Sequence, residues 1–134
     1  MVSERNKNIG IGSVITFVIS LGTAIPGFGL FLGPLFTFGG GLVGGGVGGF
    51  LEGGGAAEGA KVGLLVALIG GVTSSVVAVT GGTVLNAVVA ASDGGGSSAG
   101  GWVLIAAIGF VTGLVFTFIG GLIGGSVAGA IRGD

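Results

Sequence analysis

Three ionisable side chains, Glu52, Glu58 and Lys61, fall within one short segment in the middle of the chain, FLEGGGAAEGAK. Two carboxylates and an amine could exchange protons with a substrate if a fold held them together in a cleft with matched pKa values. Their spacing predicts something plainer. Glu58 and Lys61 stand three residues apart, the separation of a solvated ion pair on one helix face, which is worth about 0.2–0.5 kcal/mol. No carboxylate pair, Ser/Lys dyad or cluster of metal ligands recurs elsewhere at catalytic spacing. With no cysteine and no histidine the chain has no thiolate nucleophile, imidazole base or disulfide, and it lacks the commonest zinc and haem ligands. We assign no catalytic, cofactor-binding or metal residue and do not expect an enzyme.

The elements that must carry these residues are set by an unusual composition: half the residues are hydrophobic and 7% are charged, against about 25% charged in an ordinary globular domain. The charges cluster as Glu4, Arg5 and Lys7, then Glu52, Glu58 and Lys61, then Asp93, then Arg132 and Asp134. Between the clusters lie uncharged runs at 8–51, 62–92 and 94–131. A helix crosses the hydrocarbon core with about 20 apolar residues, so these runs hold about four crossings. Thirty-six glycines would suit a linker, but disorder needs low hydrophobicity and high net charge, and this chain has the reverse. In lipid an unpaired peptide group costs several kcal/mol, which enforces helix where glycine alone would not. A net charge of -1 and scattered basic residues imply no nucleic-acid partner and no polybasic membrane patch.

The expected fold is an all-α integral membrane domain over 1–134, built as two tandem glycine-rich helical hairpins at 8–51 and 60–131. The first span runs from Asn8 to Ile25 and ends at Pro26-Gly27, within the turn PGFGLFLGP. The second runs from Leu30 or Leu35 to Leu51, before the loop EGGGAAEG. The third runs from Ala60 to Val88, before the loop SDGGGSSAGG, and the fourth from Trp102 to Ile131. A cleaved signal peptide is a competing reading of the start, since Gly22-Thr23-Ala24 could serve as its cleavage site; its apolar core is longer than such segments have. All four Lys and Arg fall in the two tails and the central loop, so the positive-inside bias places both termini in the cytoplasm and the protein in the cell membrane.

One segment occurs twice. FTFGGGLVGGGVGGFLEGG at 36–54 aligns without gaps with FTFIGGLIGGSVAGAIRGD at 116–134, an offset of 80 residues. At about 100° per residue, Gly40, Gly41, Gly44, Gly45, Gly48 and Gly49 cover one half of their helix. Gly120, Gly121, Gly124, Gly125, Ala128 and Gly129 cover the same half in the second copy. Small residues at i, i+4 and i+8, the GxxxG pattern, let helix backbones touch where lipid supplies no hydrophobic drive. These twelve positions are the expected helix-packing site, and the second and fourth spans, parallel by topology, are expected to meet through them. A phosphate-cradling loop is disfavoured, because it needs a strand-turn-helix context and a lysine.

The run GGLVGGGVGGFLEGGGAAEGAKVG, Gly40 to Gly63, resembles the signature of small haloarchaeal four-span membrane proteins classed as a domain of unknown function. The resemblance covers residues 8 to 90 well and the last span more loosely. It implies a multi-pass membrane protein without an assigned activity, so no functional residue is carried over.

The expected function is a structural or assembly-forming membrane component whose partner is the lipid bilayer; a homo-oligomer joined through the glycine faces is the competing arrangement to their packing within one chain. The alternative is a small passive channel or holin-like pore. Thr73, Ser75, Thr80, Thr83 and Asn86 form a mildly polar stripe that could line water, although hydroxyls in membranes more often bond across helices.

Overall fold

The computed structural model describes residues 3–24, 28–93 and 99–133, and almost all of them are helical. Four helices follow in order: α1, Glu4–Ser20; α2, Phe28–Glu52; α3, Gly55–Asp93; and α4, Ala99–Arg132. A one-turn 3-10 helix, Leu21–Ala24, prolongs α1. Ser3 caps α1 by accepting a hydrogen bond from the Asn6 amide at 3.3 Å. Three of the helices hold stretches long and apolar enough to cross a membrane: Leu32–Glu52, Gly55–Val84 and Val103–Arg132. α1 is shorter, and its first turns carry Glu4, Arg5 and Lys7.

The helices outrun the boundaries read from the sequence. The loop expected at 52–59 shrinks to Gly53 and Gly54, because α3 already begins at Gly55 and takes Ala56, Ala57 and Glu58 into its first turn. Gly53, Gly54 and Gly55 have φ of 70°, 74° and 82°, a left-handed path that costs any other residue about 1–2 kcal/mol, so three successive glycines reverse the chain in minimal length. The Gly53 amide also donates to the Gly49 carbonyl at 3.1 Å, closing the end of α2. α2 starts earlier than expected, at Phe28, and runs through Pro34, whose missing N–H and ring would break an interior turn in water. The Thr37 hydroxyl donates to the Gly33 and Pro34 carbonyls, each at 3.1 Å. Likewise α3 and α4 extend into the expected polar loop, taking Ser92 and Asp93 on one side and Ala99–Gly101 on the other. The proposed turn at Pro26-Gly27 and the segment 94–98 lie outside the described residues.

Neighbouring residues fix the helix directions. Gly41 and Gly45 lie against Gly121, and Gly49 against Gly125, so α2 and α4 are parallel. Gly55 meets Gly129 and Gly71 meets Thr117, so α3 and α4 are antiparallel; Thr16 and Ser20 flank Gly40 while Gly12 meets Gly44, so α1 and α2 are antiparallel too. α2 and α3 each pack against the other three helices, whereas among the described residues α1 makes no contact with α4. The bundle is thus a diamond in section, with α2 and α3 across the short diagonal. Its centre holds Val62, Val66 and Ala67, all fully buried, with the hydroxyl side chains of Thr16 and Thr117.

This arrangement is open to a direct test. A methyl group at Gly113 would stand 3.5 Å from the Thr37 methyl carbon, which puts side chains at the two positions in contact. In a chain without native cysteine, Thr37→Cys with Gly113→Cys should oxidise to an intramolecular cross-link, seen as a mobility shift in the monomer band. A product found only as a dimer would mean that α2 and α4 do not lie side by side in one chain.

Candidate functional site

The residues singled out in the sequence lie on two helices, and the structure gives them several partners. In α2 the column Gly41, Gly45 and Gly49 faces α4, and the column Gly40, Gly44 and Gly48 faces α1, with Gly48 also against Val62 and Val66 of α3. In α4 the column Gly120 and Gly124 meets the α2 backbone at Phe38, Leu42 and Gly46. The column Gly121, Gly125 and Gly129 meets Gly55, Gly59, Gly63 and Ala67 of α3, while Gly121 and Gly125 also take the approach from α2. Ala128 adjoins these columns and is half-buried. Each glycine half-face is therefore shared between two neighbours.

The approach is backbone to backbone. A methyl group at Gly45 would stand 2.6 Å from both the α-carbon and the carbonyl oxygen of Gly121; one at Gly49 would stand 2.7 Å from the Gly125 carbonyl oxygen. At Gly12 the Gly44 carbonyl oxygen would be 2.6 Å away. No side chain fits these seams, so dispersion between peptide groups and Cα–H···O contacts hold them.

Two further tracks belong to the same system and were missed in the sequence reading. On α1, Gly12, Thr16 and Ser20 recur every four residues and are buried. On α3, Gly55, Gly59, Gly63, Ala67 and Gly71 recur in the same way, and all but Gly55 are buried. The four-residue period was visible in both; on α1 hydroxyls in place of glycines disguised it. The Thr16 hydroxyl donates across the seam to the Gly40 carbonyl at 3.1 Å. The hydroxyls of Ser13 and Ser20 are buried without a partner among the described residues.

In the stripe on α3, Thr73, Thr80 and Thr83 face outward and Ser75 is half-buried. Thr73 and Thr83 are exposed, and their hydroxyls donate to carbonyls of their own helix, Ile69 and Val79, each at 2.7 Å. The expected bonds across helices are absent from these two. The Asn86 side chain lies outside what is described.

Among the described side chains, the charged ones gather at one end of the bundle. Arg5 reaches Glu52 at 3.6 Å and Glu58 at 3.7 Å, and Asn8 donates to Glu52 at 3.1 Å. Lys61 pairs with Glu58 at 2.5 Å. Arg132 donates to the last carbonyls of α2, those of Phe50 at 2.6 Å and of Leu51, and lies 5.7 Å from the centre of the Phe50 ring. There it satisfies carbonyls that a helix C-terminus leaves without partners, and its charge complements the helix dipole. The hydrogen bond from Lys61, then the Lys61 charge and finally that of Arg5 hold the Glu58 carboxyl below the usual carboxylate range. Among the described residues no three acidic side chains converge as a metal site would require.

Two measurements probe seam and cluster separately. Gly45→Ala should lower the stability of the detergent-solubilised protein to SDS denaturation by about 1–3 kcal/mol, since overpacking a closed contact costs that much. Gly81→Ala meets no atom within 4 Å and should be neutral or stabilising by up to about 1 kcal/mol from helix propensity. Because the pKa of Glu58 is depressed in the folded state, its contribution is complete above the unfolded value and is lost as pH falls through the folded one. The thermal midpoint of Glu58→Gln should therefore fall less than that of the parent protein on acidification below the ordinary carboxylate range.

No curated protein and no solved structure is matched by the chain. A family model, described as a family of unknown function (DUF5518), matches residues 6–131. That match spans nearly the whole helical bundle, from the charged first turn of α1 to the end of α4, and the chain therefore belongs to this family of unknown function.

Proposed function

We propose that the chain is a multi-pass protein of the cell membrane whose work is structural: four membrane-embedded helices locked by glycine seams, serving as a scaffold or assembly component and catalysing nothing. The observation that carries this reading is the backbone-to-backbone contact along α2, α3 and α4, the form of helix association suited to lipid. Around that seam the outward faces are apolar, with Val14, Val18, Leu104, Ile108, Val127 and Ile131 all more than half exposed. A surface of that kind is stable in hydrocarbon and aggregates in water.

The gathering of Arg5, Lys7, Lys61 and Arg132 at one end supports a placement with both termini and the Gly53–Gly54 turn in the cytoplasm. The glycine columns are occupied within a single chain, which favours intramolecular packing over self-association through the same faces. A conduction path finds little support. One recess, about 320 Å³, is an open apolar groove between the outer halves of α3 and α4, lined by residues that include Val79, Thr83, Val103, Phe110 and Val111.

The protein should stay with membranes through alkaline carbonate extraction. In intact cells an impermeant thiol reagent should label Ser97→Cys but leave Ser3→Cys and Ala57→Cys unmodified; the opposite pattern would reverse the orientation. Purified protein in planar bilayers should give no single-channel currents, and reproducible unitary conductance would replace the scaffold by the pore.

A further inference from the structure

The small-residue tracks of α3 and α4 run out before the helices do. From Gly55 to Gly63 on α3, and from Gly129 to Gly121 on α4, the two backbones touch. Further along, a methyl group at Gly71 would stand 3.0 Å from the Thr117 methyl carbon and 3.6 Å from a Leu114 methyl carbon. Continuing at the same four-residue interval, α3 places Val79 and Thr83 where the seam had glycines, and the facing part of α4 carries Phe110 and Val103. Branched and aromatic side chains hold the helix axes apart there, and the seam opens into a groove of about 320 Å³.

Size and chemistry constrain what fills this groove. Its described walls are apolar apart from one hydroxyl, that of Thr83, which already donates to the Val79 carbonyl at 2.7 Å. A bound water needs about two to four polar partners, and these walls offer a single side-chain atom. Along α4 the groove is about 12 Å long, the rise from Val103 to Val111. Over that length a helix about 10 Å across fills roughly 900 Å³, far more than the space between the walls, whereas one hydrocarbon chain at ordinary carbon–carbon contact fills roughly 200 Å³. The depth agrees. Val79 and Thr83 stand about 27 and 33 Å along α3 from Lys61, past the midplane of a bilayer about 40–45 Å thick with its headgroups.

We propose that the groove between the outer halves of α3 and α4 holds one acyl chain of a phospholipid from the leaflet remote from the charged cluster. The chain enters from the open side, lies along Phe110 and Val111, and replaces the dispersion contacts that the parted backbones no longer give each other. A lipid chain on an outward face, such as that of Val14 and Val18 or of Val127 and Ile131, touches protein on one side only. In the groove it touches both helices, so it is held where its neighbours exchange freely. The groove continues the α3–α4 seam, and the lipid chain completes the packing of that seam beyond the point where the glycines end.

This inference rests on the membrane placement proposed above, and its test keeps the two apart. The full-length protein is reconstituted in vesicles containing a phospholipid with a diazirine in one acyl chain and irradiated, and the adducts are mapped by mass spectrometry. We expect adducts on Val79, Thr83 and residues 103–111 at several-fold the density found on Val14, Val18 and Val127. Ala107→Phe and Thr83→Phe each bring a ring into the groove from an exposed position on one wall, and each should reduce that density to the level of the outward faces. Val127→Phe, at the charged end of α4, should leave it unchanged. Thr37→Cys with Gly113→Cys, introduced alongside, reports through its cross-link that the bundle is intact, and the adduct map of the parent protein stands without any variant. Adducts spread evenly over the exposed aliphatic positions, in protein that resists carbonate extraction, would overturn the lipid site and leave the membrane placement standing. An Ala107→Cys protein that oxidises to a dimer, with no adducts at 103–111, would overturn it in favour of a second copy of the chain. Release of the protein by carbonate would overturn the placement itself.

Discussion

Everything in this bundle depends on how closely two helix backbones can approach when no side chain stands between them. In water, apolar side chains drive helices together; in hydrocarbon that drive vanishes, and association is left to dispersion and weak polar contacts, both steep functions of distance. The seams of Gly45 on Gly121 and Gly49 on Gly125 meet that condition by letting peptide groups touch. A soluble bundle with so many glycines in its helices would lose about 1 kcal/mol at each relative to alanine. Inside a bilayer the helix is enforced by the cost of a bare peptide group, so the glycines gain contact without forfeiting the fold.

A smooth seam raises a problem of register. Four-residue tracks on both sides would let α4 slide by one turn, about 6 Å, and find glycine opposite glycine again. The tracks end, however, in residues that forbid it. A slide in one sense would bring Ala128 to the place of Gly124, where a methyl group runs into the Leu42 carbonyl. A slide in the other would bring Phe116 to the place of Gly120, against the Phe38 carbonyl, and Thr117 to that of Gly121, against Gly63 and Ala67. Arg132, held on the last carbonyls of α2, favours the same register from the charged end. Specificity thus comes from where the small residues stop.

Much of this was legible in the sequence, and the parts that were not have physical reasons. The helical class and the glycine columns of α2 and α4 follow from charge-free runs and a four-residue period. Helix ends were placed too far inward because polar and glycine residues were read with the habits of water. Gly55, Ala56 and Ala57 looked like loop, and Pro34 looked like a turn, yet all are helical. The α1 track escaped notice because Thr16 and Ser20 stand where glycines do elsewhere, although they fill the same role and Thr16 adds a hydrogen bond to Gly40. The contacts of Arg5 and Arg132 join residues far apart in the chain, and no local pattern announces them.

The internal repeat bears on the packing in a way that the sequence alone does not disclose. If the segments at 36–54 and 116–134 were related by a two-fold axis, equivalent columns would face equivalent partners. Instead Gly40, Gly44 and Gly48 face the hairpin partner of α2, while their counterparts Gly120 and Gly124 face α2 itself; the column beginning at Gly41 faces α4, while the one beginning at Gly121 is turned chiefly to α3. Such an axis would also demand a contact between α1 and α4 to match that between α2 and α3, and among the described residues there is none. The two glycine helices are parallel yet rotated differently about their own axes. What the repeated segment supplies is a helix smooth enough on half its circumference to accept either orientation, and the unequal neighbours, a short charged α1 and a long apolar α3, decide which one each copy adopts.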